Sequence, residues 1–445
     1  MGWAERRLDT LEEAMRRIIV AVLLGLVCTG LGAPARAGAP ARGFDGVRGW
    51  NEAALQAVRA LRASDADAAR WYAMLNVAMY DAVNGIVGGR GEPAREPALV
   101  TGRGPRDGDP FAAAVAAAHT VLVAVDPARA AEYDARRAAD LARVAPGHRR
   151  AEGVRWGEQV GREVVRARAD DGSSPVRSQP AGAGPGVFRA EWSGVQYADV
   201  RPFAVRDPGA YVPGPPPALD SVTYAAAFAE IAVLGDARVP APDLLATYQF
   251  WSLPAGSDQP PGEWMRIALT AGGDRGLSLA RGARMTALVS MALADSTVTT
   301  VRTKQTYRHW RPTTAIREAD TDGNPLTSAD PAWTARSGSV GGTPEWTSGH
   351  SSYSNAAATV LAGFFCSDNV GFSLATDTAP AGQARTYPSF SSAAAEAGRS
   401  RVYGGQHFAF SDRAGQAIGR GVGDEVLATR LLREQGRTHV GSCPL

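Results

Sequence analysis

"PEWTSGHSSYSNAAATVLAGFF", residues 344–365, sets a polar, glycine-containing entry directly against an alanine-rich run. Ser348 stands where a helix cap belongs, Gly349 lets other groups approach the backbone, and the alanines that follow favour helix. The first turn of a helix carries backbone N–H groups with no intrahelical partner, together with the positive end of the macrodipole. Such a helix start is a ready place for an anion, and His350 in that first turn would face it. Alone, the stretch reads more readily as an ordinary serine cap beside an exposed histidine, so its neighbours have to decide.

Upstream lies "KQTYRHWRP", residues 304–312. Lys304 is the single lysine among 47 Lys and Arg residues, and it stands seven residues before the Arg311-Pro312 pair. A compact ammonium and a planar guanidinium suit a tetrahedral oxyanion approached from two sides. Downstream, in "GRSRVYGGQHFAFSD", residues 398–412, Arg401 and His407 bracket a Gly404-Gly405 turn. Singly, each basic group reads as a solvated helix end or loop. A further helix is expected from Ser411, with Gly415, Gly419 and Gly423 on one close-packing face.

Lys-x6-Arg-Pro, Ser-Gly-His and Ser-Arg-x5-His, in this order and at these separations, resemble the signature of the vanadium-dependent haloperoxidase and type 2 phosphatidic acid phosphatase superfamily. "WRPTTAIREADTDGNPLTSADPAW" (310–333) and "SRVYGGQHF" (400–408) are especially similar to its soluble bacterial haloperoxidase-like branch. "ARWYAMLNVAMYDAV" (69–83) and "RARADDG" (166–172) are similar to it less diagnostically. The resemblance implies an all-α helical bundle of the vanadium haloperoxidase and acid phosphatase type. It implies that Lys304, Arg311 and Arg401 hold the equatorial oxygens of vanadate or phosphate, with the Ser348 hydroxyl and the Gly349 N–H adding hydrogen bonds. His407 would be the axial partner, a vanadium ligand in a peroxidase or the nucleophile that forms phosphohistidine in a phosphatase. His350 would be the acid-base group.

Two reactions fit one such pocket. A haloperoxidase would need vanadate as cofactor and take hydrogen peroxide and a halide; an exported acid phosphatase would need no cofactor and take a phosphate monoester. A non-catalytic oxyanion-binding protein is the third reading, and two titratable histidines beside one anion weigh against it. Three positions depart from the family pattern. Thr347 stands where a proline commonly precedes Ser-Gly-His, and Val301 and Thr343 stand where haloperoxidases commonly carry aromatic or histidine side chains on the halide side. None of the three removes an oxyanion donor.

The rest of the chain bounds the reading. In 445 residues, 47 basic side chains balance 45 acidic ones, for a net charge of +2, so nothing points to nucleic acid. Helices are expected from the Ser64 cap through residue 87, at 110–125 stopping before Asp126-Pro127, at 127–144, and at 150–169, where Gly153, Gly157 and Gly161 share a face. Residues 171–220 are rich in Gly and Pro and form an irregular connection, a candidate boundary that could cover the site. The expected divisions are a signal peptide at 1–37 with Met15 as a candidate start, an N-terminal helical region at 45–170, that connection, and a catalytic bundle at 221–445. Arg16-Arg17, the apolar run 18–31 and Ala35-Arg36-Ala37 make the chain an exported one, periplasmic or extracellular, with no membrane span after cleavage. Cys366 and Cys443 are then either one disulfide or two buried thiols. Small-residue helix faces suit a homodimer or internal packing alike. His309 is expected as an exposed helix-end residue, His119 as a satisfied core histidine, and Asp320, Asp322 and Asn324 as a solvated turn.

Overall fold

Ser64 does what a cap should: its hydroxyl accepts the Asp67 N–H at 3.1 Å and opens a long helix on the next residue. The computed structural model describes residues 43–88 and 93–435, with the backbone alone of residues 439–440 and 443–444. The signal peptide, its cleavage site and the Met15 start lie outside the described residues. The mainly helical architecture expected from the sequence is the one found.

The N-terminal helices are α1 (Phe44–Leu61), α2 (Asp65–Val87), α3 (Pro110–Val125), α4 (Ala130–Ala142) and α5 (His148–Ala167). Asp109 caps α3 and Asp126-Pro127 ends it, at the expected residues. α3 and α5 pack almost backbone to backbone. A Cβ on Gly153 would stand 2.3 Å from the Asp109 carbonyl oxygen, and one on Gly157 2.1 Å from that of Ala113. Only glycine permits that approach.

The connection that follows holds the small ribbon β1 (Ser178–Gln179) and β2 (Trp192–Ser193), paired antiparallel. It lies along the far end of a later helix: the Phe188 N–H donates to the Arg308 carbonyl (2.7 Å), the Trp310 N–H to that of Gly186 (2.9 Å), and the Tyr307 hydroxyl to that of Pro213 (3.0 Å). Helices resume as α6 (Val222–Leu234), α7 (Pro242–Phe250), α8 (Gln259–Asp274), α9 (Leu279–Tyr307), α10 (Pro312–Arg317) and α11 (Gly349–Phe365). A ribbon of β3 (Phe372–Leu374) and β4 (Arg385–Tyr387) leads to α12 (Phe390–Tyr403) and α13 (Ala409–Thr429). The short strands β5 (His439–Val440) and β6 (Cys443–Pro444) follow.

α9 is the axis of the molecule. Its 29 residues span about 44 Å, and the stretch from residue 282 to 300 is buried on every side. One hydrophobic core runs from Phe44 to Leu431 around it, including Trp50, Trp251 and Trp264. A smaller core, built on Trp310, Trp333, Phe408 and Phe410, packs beneath the α9–α10 turn. A helix buried on all faces must satisfy its polar side chains, and Asp295 does so by accepting three consecutive N–H groups, from Phe203, Ala204 and Val205, each at 2.7 Å. The connection is thereby pinned to the axis. Cys366 is disulfide-bonded; the expected pairing falls on Cys443, whose side chain lies outside the described residues. Among the described residues, no helix is long and apolar enough to cross a membrane.

Candidate oxyanion site

Four helix ends converge on one pocket. Lys304 comes from the last turn of α9 and is buried. The chain then reverses through Arg308, in left-handed conformation at φ 50°, and Arg311 takes the extended cap position of α10, with Pro312 starting that helix. Ser348 caps α11, accepting the Ser351 N–H at 3.3 Å. The Ser351 hydroxyl lies 2.8 Å from that of Ser348 and 2.7 Å from Asp412 Oδ1. Ser351 has one hydroxyl proton: given to Ser348, it leaves the Ser348 proton free to donate, and given to the Asp412 carboxylate, it leaves Ser351 as the acceptor of the Ser348 proton. Gly349 and His350 follow in the first turn.

α12 delivers Arg401, and the turn after it delivers His407. That turn needs glycine: Gly405 has φ 72°, and a Cβ there would meet the Gly235 carbonyl oxygen at 2.8 Å and Trp333 at 2.9 Å. Arg311 ties the pieces together. Its Nε donates to the Thr343 carbonyl (2.7 Å) and its Nη1 to that of Gln406 (2.7 Å), while Nη1 also lies 3.0 Å from His407 Nε2.

Electrostatics decide the state of His407. Its Nδ1 lies 3.0 Å from Glu345 Oε1, which also accepts the Phe408 N–H at 2.9 Å. A carboxylate on Nδ1 fixes the proton there and leaves the Nε2 lone pair toward Arg311. Burial, and then the charges of Arg311, Lys304 and Arg401, hold the imidazole well below its usual pKa and therefore neutral. Lys304 is likewise pushed well below the ordinary lysine range, by burial first and Arg311 second, with Glu345 and Asp65 pulling it back. Burial lowers Arg311 to about 10. His350 stays half-buried and its Nε2 lies 3.3 Å from the Ser252 carbonyl; burial and Arg401 keep it neutral as well.

All seven residues expected from the sequence therefore lie in one place. Lys304, Arg311, His350, Arg401 and His407 are close enough to feel each other's charge. Arg401 Nε and Nη1 are buried without a hydrogen-bond partner, though the guanidinium lies over the Tyr248 ring at 5.1 Å. Such atoms cost stability unless something fills the gap, and here the missing partner is an acceptor.

Two residues of this pocket escaped the sequence reading. Glu345 stands three positions before Ser348 in the opening stretch, where no local signal marks its contact with His407. Tyr248, on α7, had none, because only the fold brings it to Arg401. His309 corrects the expectation of an exposed helix end: it is buried between Tyr224, Phe408 and Phe410, and burial pushes its pKa down to about 3. The polypeptide closes over it because the Glu345 N–H donates to its carbonyl at 2.9 Å. His119 is satisfied by Asp134 at 2.6 Å. Asp322 and Asn324 form a turn as expected but a buried one, held by Thr327, and no cluster able to hold a metal cation occurs among the described residues. Val301 is half-buried against small apolar clusters, and Thr343 has both its oxygens engaged by Arg311. The peptide bond between Trp346 and Thr347 is cis.

Residues 284–434, which hold all seven of the expected site residues, match the family model of the VCPO second helical-bundle domain. The chain has the vanadium haloperoxidase fold. The solved structure of the first bacterial vanadium-dependent iodoperoxidase superposes with a TM-score of 0.73 at 22% identity, covering 88% of this chain and 98% of that one. An apo-type bacterial vanadium-dependent chloroperoxidase matches with a TM-score of 0.62 at 16% identity, over 80% of this chain and 92% of that one. Its holo-type counterpart gives 0.59 at 18%, over 82% and 92%. No curated protein matches the chain by sequence. The fold extends beyond the matched segment, since the structural likeness takes in most of the N-terminal helices too.

Proposed function

We propose that the protein is an exported, vanadium-dependent haloperoxidase-like enzyme that binds vanadate and uses hydrogen peroxide to oxidise a halide. The observation that carries this is the missing acceptor in the pocket: three buried basic side chains converge beside His407, whose Nε2 lies against Arg311 Nη1, and two nitrogens of Arg401 have no hydrogen-bond partner. An oxyanion with several oxygens supplies what is missing. The donor set fits vanadate, because each charge-assisted hydrogen bond contributes about 1.5–3 kcal/mol and five such groups converge.

Lys304, Arg311 and Arg401 would hold its oxygens, with the Ser348 hydroxyl and the Gly349 N–H completing the cradle. His407 would offer Nε2 as the ligand, kept in the correct tautomer by Glu345. Vanadate, when bound, supplies a Lewis-acidic centre that activates hydrogen peroxide toward a halide. His350 would give its Nε2 proton to the Ser252 carbonyl as a hydrogen bond and leave Nδ1 as the basic nitrogen. An anion beside it favours the imidazolium, so His350 can take up and return a proton near neutral pH.

A single preparation, divided in two, tests this. One half receives orthovanadate, peroxide and bromide with a halogen acceptor, and the other, without vanadate, a chromogenic phosphate ester. Bromination that requires vanadate and disappears in His407→Ala is the expected result. Ester hydrolysis that vanadate inhibits, with no bromination, would make the protein a phosphatase. Lys304→Arg is expected to weaken vanadate binding markedly with the fold intact, since a wider planar head beside Arg311 and Arg401 displaces one of them. Intact-mass measurement of secreted protein checks export: loss of the first 37 residues is expected.

A further inference from the structure

At the opposite end of α9 lies a second concentration of positive charge. Arg281 and Arg284, within the first two turns, join Arg95 and Arg433 in lining a cavity of about 290 Å³, whose wall also includes Phe364 and Tyr80. A β-bridge between residues 95 and 433 brings those two together. Arg284 is only 5% exposed. Its Nε donates to the Leu431 carbonyl at 3.3 Å, and no carboxylate among the described residues forms an ion pair with it. Burial, followed by repulsion from Arg95, Arg281 and Arg433, lowers its pKa to about 10.

The helix adds to the cost. Cations at a helix N-terminus face the positive end of the macrodipole, and an anion there is favoured. The cavity is also partly apolar, with the Arg281 and Arg284 guanidiniums 5.9 and 5.6 Å from the Phe364 ring centroid. Arg284 and Lys304 are twenty residues apart on one helix, or about 30 Å, so the cavity is separate from the oxyanion pocket.

We propose that this cavity is a second anion site, one that takes a small organic carboxylate with an apolar or aromatic body. The carboxylate would sit against Arg284 and Arg281, and the apolar body against Phe364. Isothermal titration of the full chain with benzoate as probe tests it in wild type, R281M, R284M and K304A. Wild type and K304A should bind one benzoate each, and R284M should bind about tenfold more weakly or worse. Because R284M removes a buried group, R281M at the exposed rim is the second variant; it should lose affinity with an unchanged circular dichroism spectrum. Absence of benzoate binding to wild type would overturn the proposal. So would binding that survives in both arginine variants but is lost in K304A, which would place the probe in the oxyanion pocket.

Discussion

Glu345 shows how one buried carboxyl sets the chemistry of a neighbour. It is pushed above the usual carboxylate range by burial, and Arg311, the Phe408 N–H and Lys304 pull it back. Glu345→Gln keeps the shape and an acceptor oxygen but loses the charge that favours the Nδ1 tautomer of His407. Vanadate affinity is expected to fall 10- to 100-fold, roughly the range for partners that orient a metal-binding histidine, with the unfolding midpoint nearly unchanged. Titration against the vanadate-dependent absorbance would measure it. His309 gives a pH-dependent test. Its pKa of about 3 lies far below the ordinary histidine value, so from pH 6.5 downward the unfolded chain takes up a proton that the folded protein refuses. That depressed group contributes stability above pH 6.5 and loses it as the pH falls. His309→Phe is therefore expected to gain on wild type by about 1.4 kcal/mol per pH unit between pH 6 and 4, read from paired denaturant titrations.

At the level of elements, the glycine faces are where sequence and structure agree most closely. A Cβ on Gly415 would stand 2.5 Å from the Ser348 carbonyl oxygen, and one on Gly423 2.9 Å from the Thr359 Cβ. α13 is thus pressed against α11 at the residue that caps it. Gly415→Ala and Gly423→Ala should each cost about 1–3 kcal/mol by overpacking, yet only Gly415→Ala should also weaken vanadate binding, because only it displaces the start of α11. Thermal unfolding paired with vanadate titration separates the two effects. Caps and breakers made the helices legible: Ser64, Ser348 and the Asp126-Pro127 stop all act within a few residues of where they stand. The three site motifs were legible for the same reason, since each is a short local pattern at a helix end. Glu345, Tyr248 and the burial of His309 were not. Their roles depend on contacts between elements far apart in the chain, which no local pattern encodes.

For the molecule as a whole, the irregular connection is part of the frame. Asp295 accepts three of its N–H groups from the middle of the buried axis helix. Asp295→Ala leaves those donors unsatisfied in the core, and a loss of about 3 kcal/mol or more is expected. Hydrogen exchange should report it first at residues 203–205. The axis helix carries a further consequence. With 100° of rotation and about 1.5 Å of rise per residue, α9 acts as an indexed shaft between the Arg284 cavity and the Lys304 pocket. A single residue inserted near its midpoint would swing every later side chain by more than a quarter turn. Lys304 would then take the half-buried place of Gln305, and Thr303 would take the place of Lys304 beside Arg311. The helix can vary in composition, but its residue count between those two ends is fixed by the geometry at both.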